Sequence, residues 1–245
     1  MEVYIKKMKN INKKEAQLIE ELQEMHKKVA DLEKKVVRDN RLEKELQQSD
    51  EKLQKFIEGI AYIIAEIVEI RDPYLRGHHQ RVSKLAAAIA QEMKLLQDKI
   101  EGVKIASLVH DVGMINLPTE IVSKPSALFE VELNFVKNYP RTGYEILKKA
   151  DFPWPIAEIV FQHQEKIDGS GYPRGLKGAE ILIEAKILGV ANVVEAMSSC
   201  KSYRPALSID ESLREISKYK NILFDPEVVD ACLKLFKENK INNRK

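Results

Sequence analysis

Apolar residues recur in the first part of the chain at alternating steps of four and three, with Lys and Glu between them. The positions of this stripe are Leu18, Leu22, Met25, Val29, Leu32 and Val36. Such a heptad repeat predicts one long helix with a narrow apolar seam, as in coiled coils. The seam weakens over residues 37–41 and resumes at Leu42. The change of phase equals an insertion of three residues, which locally overwinds a coiled coil.

A helix that is polar on most of its surface needs a partner to cover its stripe. We therefore expect residues 1–57 to form a coiled-coil dimerisation and signalling helix, and the chain to be a homodimer. A solitary charged helix, or one folded back on its own domain, is the alternative. The pattern leaves parallel and antiparallel pairing open.

After residue 57 the apolar positions become denser, which predicts a globular domain over residues 58–245. Pro73 ends the first helix, because the residue before a proline disfavours helical angles. Further apolar stretches have helical spacing, and none alternates as strands do. We expect helices at residues 78–93, 100–112, 128–137, 141–149, 156–164, 181–199, 209–218 and 227–238. The predicted fold class is all-α.

The composition excludes several kinds of partner. Lys and Arg number 40 against 38 Asp and Glu, for a formal net charge of +2, which argues against a broad nucleic-acid surface. No run approaches the roughly 20 apolar residues that span a bilayer, so no membrane segment is expected. The two cysteines form no disulfide framework, which is typical of a reduced, cytoplasmic setting.

His110 and Asp111 follow an apolar helical stretch and precede Gly113. At a helix end, an adjacent imidazole and carboxylate can converge on one ion, giving ligands that Zn, Mn or Fe accepts. A buried, hydrogen-bonded histidine is the alternative reading of the pair. A second polar stretch, from His163 to Pro173, favours the metal-binding interpretation.

Several ordered motifs between residues 71 and 235 carry a family resemblance. They are Arg71, Asp72, Pro73 and Tyr74 with Gly77 and His78; His110 and Asp111; Asp168 to Pro173; Gly175 to Gly178; and Tyr203, Arg204 and Pro205. In these motifs the chain resembles the HD-GYP family, bacterial phosphohydrolases of cyclic di-GMP. The resemblance implies an HD-superfamily helical bundle. It also implies metal-dependent hydrolysis of a phosphodiester to a linear dinucleotide or GMP.

The same resemblance implies the site residues. His78 matches the family's first metal histidine, His110 and Asp111 match its catalytic and metal-binding pair, and His163 matches the first of two adjacent metal histidines. In the loop, Gly171, Tyr172 and Pro173 match the segment that borders the substrate. Lys201 and Arg204 align with a basic segment that pairs with phosphates, although Lys201 replaces an arginine. The loop residues could equally be present because they fold a tight turn.

Four positions depart from the family pattern. Met114 stands for a lysine, Tyr139 and Gln164 for histidines, and Asn192 for an aspartate. Each replacement is a weaker metal ligand or removes a charge, so a two-metal centre is not expected. A single divalent ion (Mn, Fe or Zn) on His78, His110 and Asp111, completed by Asn192 or water, remains open. His79, next to the first histidine, is expected to be solvated.

Three functions follow as alternatives. The first is an HD-GYP-type signalling module with a ligand-depleted site, catalytically silent or weak, which acts as a dimer that binds a cyclic dinucleotide or a signalling protein. The second is an active cyclic di-GMP phosphodiesterase with an altered or single-metal site. The third is a structural dimeric adaptor. The metal content and a binding titration distinguish them.

Overall fold

A computed structural model of the protein describes residues 1–122, 124, 126–200 and 205–241, without the side chains of residues 2–12 and 73. Within that part of the chain the structure is helical. Its only β features are two isolated bridges, Asp168 with Lys177 and Lys220 with Phe224. The predicted all-α fold class is therefore confirmed.

The helices follow the sequence pattern closely. The α-helices are α1 (Glu2–Glu69), α2 (His78–Glu92), α3 (Gln97–Val109), α4 (Thr119–Val122), α5 (Glu130–Val136), α6 (Tyr139–Leu147), α7 (Ile156–Gln162), α8 (Ile183–Ser198), α9 (Ile209–Lys218) and α10 (Pro226–Lys237). Short 3₁₀ helices span Pro73–Leu75, Val112–Asn116 and Gly178–Glu180. Helix α1 ends four residues before Pro73, as predicted.

The chain divides into two compact units, Met1–Ile57 and Glu58–Lys245. The first unit is helical from Glu2, and its heptad positions are exposed in the single chain; Leu22, for example, is 53% exposed. Dimerisation through this stripe stays a prediction. No helix in the described part of the chain is long and apolar enough to cross a membrane.

The core of the second unit lies where α2 packs against α3 and α8, with α7 and α10 beside them. Helix α2 buries the face predicted from its spacing, including Val82, Ala86 and Ile89, all fully buried. Alanines at Ala86 and Ala90 keep this face narrow, so neighbouring helices can approach closely. Burial of a Val or Ile side chain contributes about 1.5–3 kcal/mol.

Two close approaches fix the segment that follows α3. Arg71 donates hydrogen bonds to the carbonyl oxygens of Met114 (2.9 Å) and Leu117 (2.6 Å). Gly113 lies against α6, where a Cβ atom would be 2.0 Å from the Tyr139 carbonyl oxygen. Only a glycine fits there, so the turn after Asp111 is held against the start of α6.

Candidate metal centre

His110 and Asp111 lie between α3 and the following 3₁₀ helix, and both are buried. The Nδ1 atom of His110 is 2.8 Å from the Ser107 carbonyl oxygen, so it carries the proton and donates it. Its Nε2 atom lies 3.2 Å from Asp111 Oδ2 and makes no hydrogen bond. The lone pair of Nε2 is thus directed into the site.

His78 and His79 open helix α2, and Glu69 at the end of α1 holds that helix start. The Glu69 carboxylate accepts hydrogen bonds from the backbone N–H groups of Gly77 (2.5 Å) and His79 (3.2 Å). It also lies 2.8 Å from His79 Nδ1. Burial acts to raise the pKa of Glu69, but these hydrogen bonds outweigh it and lower the pKa.

The expectation that His79 is solvated is wrong, because its side chain is fully buried. Adjacent helix residues normally face different directions, but at this helix start Glu69 and Asp111 lie on either side of the second imidazole. Burial would lower the pKa of His79, yet hydrogen bonding to Asp111 and Glu69 outweighs burial and raises it to about 9. A positive charge is therefore stabilised between His79 and the two carboxylates.

Glu195 on α8 lies behind His78. Its buried carboxylate contacts His78 Nδ1, accepts a hydrogen bond from Arg81 Nε (2.6 Å) and another from the Ser199 hydroxyl (2.7 Å). Burial acts to raise the pKa of Glu195, but hydrogen bonding to His78 outweighs it and lowers the pKa to about 2. Asn192, half-buried, precedes Glu195 by three residues and so shares its side of α8.

These elements bring together three of the four predicted metal ligands. Among the described residues, the one group of potential ligand atoms within 4.8 Å of one another comprises His78, His110 and Asp111. His78 Nε2 lies 3.9 Å from Asp111 Oδ2. Burial acts to raise the pKa of Asp111, but the charge of the adjacent His110, together with the nearby His79 imidazole, outweighs burial and lowers the pKa well below its usual range.

The donor set fits a divalent ion. Metal-binding histidines characteristically donate the second ring N–H to a carboxylate or a backbone carbonyl, which fixes the tautomer. His78 has Glu195 and His110 has the Ser107 carbonyl in that role. The unpartnered Nε2 of His110 beside an ionised carboxylate is a buried polar atom that a cation would satisfy. His78, His110 and Asp111 would hold the ion, which would supply Lewis acidity toward a phosphate oxygen.

His163 is directed to a different neighbour. It is buried at the end of α7, with Nδ1 2.6 Å from the Val160 carbonyl oxygen. Its Nε2 is 2.8 Å from the hydroxyl of Tyr139, and the Gln164 amide donates to the same hydroxyl at 2.8 Å. With Nδ1 protonated, Nε2 accepts a hydrogen bond from the Tyr139 hydroxyl. Burial, with the charge of His110, lowers the pKa of His163 to about 3, so the ring stays neutral.

Three of the predicted site positions, Tyr139, His163 and Gln164, thus satisfy one another. The lone pair that His163 would offer to a metal accepts a hydrogen bond from a phenol. Burial raises the pKa of Tyr139 well above its ordinary value, and the Asp111 charge acts in the same direction. Ionisation of Tyr139 to a phenolate ligand is therefore disfavoured. Metal binding by His163 stays a prediction that requires this hydrogen bond to break.

The loop with Gly171, Tyr172 and Pro173 lies beside this cluster. Glu165 accepts backbone hydrogen bonds from Arg174 (2.7 Å) and Leu176 (3.0 Å), which fixes the loop. A Cβ atom at Gly171 would be 2.3 Å from the Lys166 nitrogen, so this glycine has a structural role. Burial and the charge of Asp111 raise the pKa of Tyr172 to about 12. The phenol is therefore close enough to Asp111 to experience its charge.

The remaining predicted positions are less informative. Met114 is half-buried and lines a small cavity of about 10 Å³ with Val68, Arg71 and Leu75. An apolar side chain thus stands where the family pattern has a lysine. The predicted phosphate-binding residues Lys201 and Arg204 lie outside the described residues. Substrate contacts by either stay predictions.

Sequence reasoning missed Glu69, His79 and Glu195. The spacing of three between Asn192 and Glu195 on one helix was a usable signal for Glu195. The other two residues could be found only by knowing that the end of α1 meets the start of α2. Together they change the electrostatics, because two buried carboxylates lie behind the imidazoles in addition to Asp111.

Comparison with known proteins agrees with this geometry. A sequence model described as "HD domain" matches residues 62–228. The cyclic di-GMP phosphodiesterase response regulator RpfG of Xanthomonas campestris is 36% identical over 173 residues, covering 70% of this chain and 46% of that protein. A cyclic di-GMP phosphodiesterase of Thermotoga maritima is 36% identical over 199 residues, covering 80% of this chain and 54% of that protein.

The chain thus spans about half the length of these relatives. Among solved structures, the HDG"Y"P protein Bd1817 of Bdellovibrio bacteriovorus superimposes with a TM-score of 0.57 at 21% identity, covering 76% of this chain and 60% of that one. At this identity the superposition establishes the fold alone. Because the family match covers most of the globular unit and the motifs lie in order within it, this chain belongs to the HD-GYP branch of the HD domain family.

Proposed function

We propose that this protein is a cyclic di-GMP signalling module whose HD-type site is depleted of ligands, holds at most one divalent ion, and is catalytically silent or weak. The relatives' printed activity supplies the ligand class, because cyclic di-GMP is the substrate named for both proteins. The module would act as a dimer and report on a bound cyclic dinucleotide or signalling protein. The proposal concerns only the region that this chain shares with the relatives, which is about half of their length.

One observation carries the proposal: the Tyr139 hydroxyl bridges His163 and Gln164 at 2.8 Å each. A second ion next to Asp111 would need the Nε2 lone pair of His163, which this hydrogen bond occupies. Two-metal hydrolysis uses the ion pair to stabilise both the attacking and the leaving oxygen. With one ion, that stabilisation is incomplete and a slow reaction or none is expected.

The alternative function is an active phosphodiesterase with a single-metal or altered site. It is favoured by the presence of three of the family's metal ligands. His78, His110 and Asp111 are close enough to share an ion, and Tyr172 lies near Asp111 at the loop. Weak hydrolysis would then depend on that ion alone. The structural adaptor is the third reading, and a lack of any affinity for cyclic dinucleotides and metals would favour it.

The metal content of the purified chain, with turnover of cyclic di-GMP under Mn and Fe, tests the proposal. We expect at most one ion per chain and little or no turnover. The variant carrying Met114→Lys, Tyr139→His, Gln164→His and Asn192→Asp should take up a second ion, because three ligands and a neutralising cation return together. Metal counting by mass spectrometry and product chromatography provide the readouts.

Tyr139→Phe is the matched control, because it frees the Nε2 lone pair of His163 without restoring the other missing ligands; one imidazole alone should not hold a second ion, so the ion count should stay unchanged. Robust turnover by the unmodified chain would refute catalytic silence and favour the phosphodiesterase. If the fourfold variant still binds no additional metal, the account of the missing ligands is wrong.

A further inference from the structure

An exposed row of isoleucines lies on the globular unit, along the last turns of α1 and at the residue after it. Its members are Ile60, Ile63, Ile67 and Ile70, which are 43%, 62%, 48% and 79% exposed in the single chain. Because they follow one another at steps of three and four, they form one continuous strip on the helix surface. Single exposed apolar residues are common, but a contiguous apolar patch marks a site of protein–protein contact. We refer to these four residues as the isoleucine stripe.

The opposite side of the same helix packs against its own unit. Ala61, Ala65 and Val68 are buried, and Glu58 pairs with Lys104 of α3 at 2.7 Å. With 3.6 residues per turn, these positions and the isoleucine stripe lie on roughly opposite sides of the helix. This part of α1 is therefore apolar on two sides, and its own chain covers only one of them. A helix that is apolar on all sides is normally buried.

The sequence indicates what covers the other side. The isoleucine stripe continues, without a change of phase, the seam formed by Leu42, Leu46, Ser49, Leu53 and Phe56. In that heptad register, Ala61, Ala65 and Val68 fall at outer positions, which are directed away from a partner helix. The contacts of α1 with its own unit are thus made on the side that leaves the stripe accessible. A second copy of this chain, which carries the same stripe at the same spacing, fits this surface.

We propose that the isoleucine stripe packs in parallel against the isoleucine stripe of a second copy of this chain, so that the dimer interface includes the globular unit. The inference rests on the dimer of the proposed function and extends its interface beyond residues 1–57. In a parallel pair each isoleucine meets its own counterpart, which is the self-complementary contact of a twofold dimer. The stripe alone buries less than the roughly 1,000 Å² of a stable interface. The seam of the first unit therefore supplies most of the affinity, and the stripe fixes how the globular units pair.

This interface adjoins two residues that support the candidate metal centre. Glu69 holds the start of α2 through two backbone N–H groups, and Arg71 holds the segment after Asp111 through backbone carbonyl oxygens. Ile70 lies between them in the chain. Packing at Ile70 therefore restrains both supports, and with them the segments that carry His78 and Asp111.

Disulfide formation between identical chains tests the pairing in the full chain. Ile67→Cys is made together with Cys200→Ser, because Cys200 is exposed and the other cysteine, Cys232, is buried. A disulfide needs Cα atoms about 4.4–6.8 Å apart, which facing seam positions of a parallel pair provide. We expect an interchain disulfide under mild oxidation. Glu66→Cys in the same background is the control, because Glu66 is exposed on the same turn but lies beside the stripe, and it should give little cross-link.

The cross-link should be lost when Ile67→Cys is combined with Leu22→Lys and Leu32→Lys, because the first unit supplies most of the affinity. Sedimentation gives the mass of each variant, and circular dichroism confirms that it is folded. A dimer in which Ile67→Cys cross-links no better than Glu66→Cys would overturn the inference and leave the proposed dimer in place. An unmodified chain that is monomeric would refute that dimer and this inference with it. A mass of three or more chains would overturn the twofold pair.

Amide hydrogen exchange tests the effect of pairing on the site. The N–H groups of Gly77 and His79 donate to Glu69, so their exchange should quicken when the dimer is lost in Leu22→Lys with Leu32→Lys. These two substitutions are remote in sequence from α2, and Val37→Lys is the control that should leave exchange unchanged. Equal exchange in the monomeric variant and the unmodified dimer would show that the interface does not restrain the end of α1.

Discussion

Four histidines of the second unit share one arrangement at the level of single residues: each Nδ1 is engaged by an acceptor, so each Nε2 is free to face inward. What Nε2 faces differs. For His78, His79 and His110 it is the Asp111 carboxylate, and for His163 it is a phenol. The difference between His163 and the other three histidines therefore comes from one residue, Tyr139, whose hydroxyl donates a hydrogen bond to the Nε2 of His163.

The position of Tyr139 next to His163 depends on the close approach of the Gly113 backbone to the start of α6. We expect Gly113→Ala to destabilise the protein by about 2–3 kcal/mol through overpacking, because its Cβ would be 2.0 Å from the Tyr139 carbonyl oxygen and 2.6 Å from the Gly143 nitrogen. For a chain of this size the melting temperature should fall by roughly 5–10 °C. Thermal unfolding followed by circular dichroism measures the change.

Gly59→Ala is the matched control in the same protein. It lies inside helix α1, where a Cβ would have no heavy atom within 4 Å. Alanine should therefore stabilise the helix by about 0.5–1 kcal/mol. If Gly113→Ala proves as harmless as Gly59→Ala, the close approach of the turn to α6 is not as tight as described.

At the level of helices, the sequence was informative where local rules decide the outcome. Spacing placed His78 at the start of α2 and His110 at the end of α3, and proline chemistry ended α1 before Pro73. It was not informative where a contact joins distant elements. Glu195 reaches His78 across 117 residues, and the burial of His79 depends on Glu69 from another helix. Hydrophobic periodicity does not indicate which distant residues come into contact.

The apolar stripe of α1 leads to a prediction about assembly. We expect the chain to sediment as a dimer, and Leu22→Lys with Leu32→Lys to make it monomeric, because both side chains lie in the seam and are more than half exposed in the single chain. Val37→Lys is the control, since Val37 lies off the seam in both registers and is 69% exposed. A monomer before any substitution would favour the solitary helix.

At the scale of the whole molecule, the site connects three core helices of the second unit. Helix α2 supplies His78, the end of α3 supplies His110 and Asp111, and α8 supplies Glu195. A ligand that binds only the folded state stabilises it by RT ln(1 + [L]/Kd), which is about 2.7 kcal/mol at a hundredfold excess over Kd. An ion at this site would therefore stabilise the contacts among three core helices.

We expect Zn²⁺ or Mn²⁺ to raise the melting temperature of the second unit by roughly 5–10 °C at a hundredfold excess over Kd, given about 2–4 °C per kcal/mol for a domain of this size. Mg²⁺ at equal concentration should have little effect, because imidazole-rich sites disfavour it. His110→Ala should abolish the Zn²⁺ shift, whereas His163→Gln should retain it, since the Nε2 of His163 accepts a hydrogen bond from Tyr139. A Zn²⁺ shift lost equally in both variants would mean that His163 belongs to the ion's ligand set. The Tyr139 hydrogen bond would then have to break when metal binds. The site would no longer separate into a metal-binding group (His78, His110 and Asp111) and a hydrogen-bonded group (Tyr139, His163 and Gln164).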